Sequence, residues 1–89
     1  MQATLDEYQV VLLRRLYDAD HLNQSELHDF ETLMADQAEH LADHWYGETF
    51  EDFEALGLLD VRVSGKTFRN HFGRLSSHGR WFVESMPST

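Results

Sequence analysis

Apolar residues recur at helical spacing through the first part of the chain: Leu5, Tyr8, Leu12 and Leu16, with Val11 and Leu13 beside them. Ahead of them "TLDE", residues 4–7, reads as a capping box, with Thr4 as N-cap and Glu7 three positions on. The pattern predicts a helix over about 5–18. Its apolar surface is wider than the stripe of roughly 100° that one core contact needs. Two outcomes fit that width. A second copy of the chain covers the surplus, giving a homodimer, or the segment "HLNQSELHDFETLM" folds back over it within one chain.

Three further helices follow by the same reasoning. Asn23 or Ser25 caps one over about 25–34, with Leu27, Phe30, Leu33 and Met34 inward. "ADQAEHLADHW" gives one over about 36–45, with Ala38, Leu41, Ala42 and Trp45 on one side. Beyond Gly47, "ETFEDFEAL" gives one over about 48–56, with Phe50, Phe53 and Leu56 inward and Gly57 as its stop. The period then changes from helical to alternating. "LLDVRVS", the turn "SGK" and "TFRNHFGRL" predict a β-hairpin over about 59–75. "SSHGRWFVESM" predicts a closing helix over about 76–86, capped by Ser76 or Ser77, with Trp81, Phe82 and Met86 inward and Pro87 ending it. The expected fold class is mainly α with a small β-hairpin, in a single domain over 1–89.

Charge changes this picture. The chain has 89 residues and a formal charge of −9. Residues 1–60 hold fifteen acids and two bases, for −13, whereas 61–89 hold one acid and five bases, for +4. All five bases, Arg62, Lys66, Arg69, Arg74 and Arg80, fall in the acid-free stretch 61–80. Such asymmetry predicts two surfaces with different partners. One Lys against six Arg, with abundant acids, resembles the proteins of salt-loving archaea; chance composition of a small acidic chain is the alternative.

"LGLLDVRVSGKTFRNHFGRLSSHGRWFVE", preceded by helices, resembles the C-terminal half of winged helix-turn-helix domains of the MarR and PadR type. In these regulators a recognition helix ends in a Leu-x-x-x-Gly-Leu run, a hairpin wing follows, and Leu-Thr-x-x-Gly-Arg opens the last helix. The matching residues are Phe53 to Leu59, the hairpin 60–75, and Leu75-Ser76-Ser77-His78-Gly79-Arg80. "DQAEHLAD" is similar to the first helix of the helix-turn-helix, with Ala42 in its small-residue position.

The resemblance implies a transcriptional regulator that binds double-stranded DNA as a homodimer. Arg62, Lys66, Arg69 and Arg74 would contact the DNA backbone, and Thr49 on the recognition helix would face the groove. That helix departs from the family: it carries Glu48, Glu51, Asp52 and Glu54 and no base. Four acids are poor readers of a phosphate-lined groove. The acidic face 48–54 therefore supports a second reading, a winged-helix module that docks on a basic protein partner. A second register also fits. "GKTFRNHFGRL" would be the recognition helix, with Phe68, Phe72 and Leu75 inward and Lys66, Arg69, Asn70 and Arg74 outward; Gly65, Gly73 and "VRVS" oppose it.

Other chemistry is sparse. His40 and His44 stand four apart in "EHLADH", a spacing that suits a metal pair, but no third soft ligand is fixed nearby, and an exposed polar face accounts for them. No phosphate loop, catalytic triad or nucleophile motif appears, so neither an enzyme nor a cofactor is expected. The chain lacks cysteine, and its acidic, polar N-terminus is unlike a signal peptide. The longest dense apolar run, "VVLL", is too short to span a bilayer. A cytoplasmic protein fits all three.

Overall fold

A computed structural model describes residues 5–22, 27–64 and 71–86, with the backbone alone at 61–64. Helix α1 runs Glu7–Leu22. Asp6 caps its start, while Thr4 lies outside the described residues. The Asp6 carboxylate accepts from the Gln9 amide at 2.7 Å, and Gln9 Oε1 accepts from the Asp6 amide at 3.0 Å. Asp-Glu-Tyr-Gln thus closes the reciprocal capping box two residues downstream of the predicted one.

The next two predicted helices are corrected. In place of a helix over 25–34, a two-residue strand β1 (His28–Asp29) leads into a single helical turn, α2 (Phe30–Leu33). Asp29 ends the strand and caps the turn, accepting from the Glu31 amide at 3.1 Å. In place of a helix over 36–45, a 3₁₀ segment covers Ala35–His40, and Trp45 opens the following helix, α3 (Trp45–Ala55). Leu41–His44 is the connection between them. One apolar residue per turn, Leu41, is too little to hold a longer helix here, since helical stability comes mainly from a packed face. His40 and His44 therefore fall on different elements rather than on one helical face.

From α3 onward the sequence reading holds more closely, although Gly47, expected to break the chain ahead of this helix, lies within it. Gly57 adopts φ +71°. The Leu58 amide donates to Phe53 O at 2.9 Å and the Gly57 amide to Glu54 O at 3.0 Å, which is a Schellman stop. Strands β2 (Leu59–Ser64) and β3 (His71–Leu75) pair antiparallel, with a register shift between Leu59 and Val61. β1 joins the other edge of β3, so the sheet order is β1–β3–β2. Residues 71–75 are strand, which removes the second register for that part; 65–70 lie outside the described residues. Helix α4 (Ser77–Glu84) is capped by Ser76, whose Oγ accepts from the Gly79 amide at 2.9 Å. The fold is mainly helical with a small three-stranded antiparallel sheet.

The core gathers Leu12, Leu13 and Leu16 of α1, Phe30 and Met34, Tyr46 and Phe53 of α3, and Leu58 and Leu75. Phe30 packs obliquely on Phe50 and Phe53, each at 6.0 Å between ring centres. Trp81 is corrected: it is 59% exposed, while Gly79 and Val83 face inward from α4. Close packing explains the swap, because α4 approaches the Leu58 backbone at Gly79, and its inward face is set by that contact.

The width of α1 is accounted for within one chain. Leu12, Leu13 and Leu16 are all 0% exposed, and Leu5, Tyr8, Val11 and Tyr17 pack against the same core. Leu13→Glu is accordingly expected to unfold the chain rather than to release folded monomers, because a charge at a fully buried site is left unpaired. Circular dichroism together with sedimentation distinguishes these outcomes; folded monomers would show that Leu13 serves an interface instead.

Arg15 ties α1 to the start of the 3₁₀ segment. Its Nη1 donates to Leu33 O at 2.7 Å, and its Nη2 donates to Asp36 Oδ2 at 3.0 Å. The Arg15 hydrogen bonds, aided by Gln37, hold the Asp36 carboxyl at about 2 against an ordinary 3.8. A depressed acid stabilises the fold above its unfolded value and loses that contribution as pH falls through its folded one. Between pH 3.8 and about 2, the native protein should therefore lose more melting temperature than Asp36→Asn does. Parallel pH profiles would count against it.

Candidate nucleic-acid interface

The residues singled out by charge fall into three groups. Arg62 stands in β2 opposite Gly73, and Val61 opposite Arg74, so the hairpin carries both bases on adjacent strands. Lys66 and Arg69 lie outside the described residues. Arg74 and Arg80 are engaged with acids. Arg74 Nη2 stands 3.5 Å from Asp60 Oδ2, with its side chain 25% exposed. Arg80 Nη1 donates at 3.1 Å to Oδ2 of Asp20, a carboxylate that is 3% exposed. Arg80 thus neutralises a buried acid in the last turn of α1, where the helix dipole disfavours negative charge. Sequence alone counted five equivalent bases; tertiary contact pairs two of them, Arg74 and Arg80, with acids.

Thr49 is corrected. It is 0% exposed and cannot face a groove. Its hydroxyl accepts from Gln9 Nε2 at 3.2 Å, and the same amide nitrogen donates to Asp52 Oδ2 at 2.9 Å. Asp6 extends the clasp, with Trp45 Nε1 standing 3.4 Å from its Oδ2. A nearly buried glutamine on α1 thereby fixes the rotation of α3. Sequence reasoning missed Gln9 because a polar residue inside an apolar helix pattern carries no sign of a partner forty residues away.

The clasp sets which side of α3 meets solvent. Tyr46, Thr49, Phe50 and Phe53 face inward, and Glu48, Glu51 and Glu54 are exposed. His44 stands 3.8 Å from Glu48 across one turn. Asp52, the fourth acid of the predicted face, is half-buried against Gln9 rather than free at the surface. His71 of β3 is buried and stacks obliquely on Phe50 at 5.1 Å, and its ring lies within ordinary contact of Gly47. This packs the hairpin base directly on α3.

The acidic face also bears on stability. The −13 carried by residues 1–60 opposes compaction at low ionic strength. At about 1 M salt the Debye length is roughly 3 Å, short enough to screen most surface repulsion. The melting temperature is expected to rise from dilute to molar KCl. A flat profile would remove the halophilic reading of the composition.

Among the described residues, no group of three or more His, Asp or Glu is placed to hold a metal ion, and no helix is long and apolar enough to cross a membrane. Comparison with protein-family models, with curated proteins and with solved structures found no match to this chain.

Proposed function

We propose that this chain is a small DNA-binding protein of the winged helix-turn-helix type, a cytoplasmic transcriptional regulator that uses its basic hairpin on the DNA backbone. The observation that carries this reading is the acid-free segment 61–80, which holds five of the seven bases of the chain. Its strands β2 and β3 form a hairpin between α3 and a capped closing helix. The order of elements from α3 to α4 supports the resemblance noted in the sequence. Because Arg74 and Arg80 stand beside acids, the DNA contact in this reading rests on Arg62, Lys66 and Arg69. Backbone contacts of this kind supply affinity and salt dependence and little sequence information. The homodimer belongs to this reading through the resemblance alone.

The test is retention of duplex DNA of unrelated sequences in a gel-shift titration over increasing salt. Binding that weakens steeply with salt and varies little with sequence supports the reading; no binding at low salt removes it. The exposed row Glu48, Glu51 and Glu54 favours the second reading, a module docking on a basic protein surface through α3. Under that reading duplex DNA is not retained, and Glu51→Lys abolishes capture of the basic partner.

A further inference from the structure

Beside the seam of α1 and α4 lies an open cleft of about 460 Å³, lined by Asp20, His21, Asp60, Arg74, Arg80 and Glu84. Among the described residues, every side chain on its wall is charged or titratable, which favours a ligand that brings charges of its own. The volume lies within the range of small-molecule sites, roughly 300–1,000 Å³.

Two features of the wall describe what that ligand carries. Asp20 is 2% exposed, yet its Oδ1 has no hydrogen-bond partner among the described residues. Its other oxygen takes the one bond from Arg80. A buried carboxylate oxygen without a donor is costly, and an ammonium group is the donor that satisfies it best. Arg80, in turn, spends Nη1 on Asp20 and, among the described residues, has otherwise a long 3.4 Å contact from Nη2 to Ser77 Oγ. Its side chain is 42% exposed, so its guanidinium is available to a second carboxylate. Acid and base stand 3.1 Å apart.

From this we infer that the cleft binds a zwitterion of the α-amino acid type, its ammonium on Asp20 and its carboxylate on Arg80. Because Asp20 is buried, binding proceeds by exchange. The Arg80 guanidinium moves from the Asp20 carboxylate to that of the ligand, and the ligand ammonium takes its place. One opposite-charge contact becomes two, and an ammonium, with three N–H donors, serves both oxygens of Asp20, Oδ1 included. The remaining wall, with Asp60, Glu84 and Arg74, meets the ligand side chain and therefore favours a polar one. This site is separate from the acidic face of α3 and does not depend on DNA binding.

The experiment is titration of the full chain with the twenty amino acids, first in pools and then singly, followed by amide nitrogen–proton correlation spectra. Saturable shifts at Asp20, His21, Asp60 and Arg80 are expected. Methylamine and acetate, which each offer one charge, should bind at least about tenfold more weakly. Trimethylglycine, which keeps both charges but has no N–H, should bind as weakly as acetate. Asp20→Asn and Arg80→Gln should each reduce affinity by about tenfold, with melting curves recorded to show that they fold. No saturable shift with any amino acid at millimolar concentration overturns the proposal. So does acetate equal to the best amino acid, which would show a simple anion site. Trimethylglycine equal to glycine removes the role given to Asp20. The native-protein series decides the matter even where a variant fails to fold.

Discussion

Replacing Arg62, Lys66 and Arg69 together by Ala is expected to weaken duplex binding about equally for all DNA sequences and to flatten its salt dependence. Each phosphate contact contributes about 0.9 to the slope of log K against log salt, so three contacts remove about 2.7. Between 50 and 200 mM salt the native protein should then lose roughly 40-fold more affinity than the triple variant does. Arg74→Ala is the internal control. Its guanidinium stands beside Asp60 and lines the charged cleft, so its loss should change the salt slope by much less than one unit. A triple variant that retains native binding at every salt concentration would sink the proposed role of the hairpin. Selective weakening on one DNA sequence would show base reading instead, and would move attention to contacts other than phosphates.

Gly79→Ala is expected to destabilise the fold although it adds only one methyl group. A Cβ at Gly79 would overlap the Leu58 carbonyl oxygen and stand 3.1 Å from Leu75 Cδ2. The Leu58 backbone cannot give way cheaply. Its amide is bound to Phe53 O at 2.9 Å, and its carbonyl accepts from the Ser76 amide at 2.9 Å. Ala gains about 1 kcal/mol over Gly in helix propensity, but overpacking against fixed backbone costs about 1–3 kcal/mol or more. Overlap with a doubly hydrogen-bonded backbone puts the cost at the upper end, so the net expectation is a destabilisation of about 2 kcal/mol, or roughly 10 °C in melting temperature for a domain of this size. Gly47→Ala is the matched comparison. There the added carbon meets only the His71 ring at 3.7 Å, an ordinary contact, and the propensity gain should leave stability unchanged or slightly higher. Thermal unfolding by circular dichroism compares the two. Equal melting temperatures for Gly79→Ala and the native chain would mean that α4 shifts freely from the Leu58 backbone, against the packing described.

The elements legible in the sequence were those with strong local signals. The amphipathic stripe of α1, the Gly57 stop, the change of period after Leu58 and the Ser76 cap each rest on residues within a few positions of one another. The mainly α fold with a small hairpin follows from them. Local signals misled where the packed face was thin. "ELHDFETLM" has helical spacing, yet His28 and Asp29 pair with Gly73 and Phe72, because an open edge of β3 offers hydrogen bonds that helix propensity does not outweigh. "ADQAEHLADHW" has one buried apolar residue, Leu41, and settles into a 3₁₀ segment.

For the candidate site, composition located the basic segment and the acidic face of α3, since charge is counted without knowing the fold. Only tertiary structure decided which charges remain at the surface. Arg80 is drawn to the buried Asp20 sixty residues earlier, Arg74 to Asp60 across the hairpin, and Asp52 and Thr49 to Gln9 of α1. These pairings join residues that are distant in sequence, and a buried polar group takes whichever partner the packed core brings within reach. Sequence order carries no record of that choice.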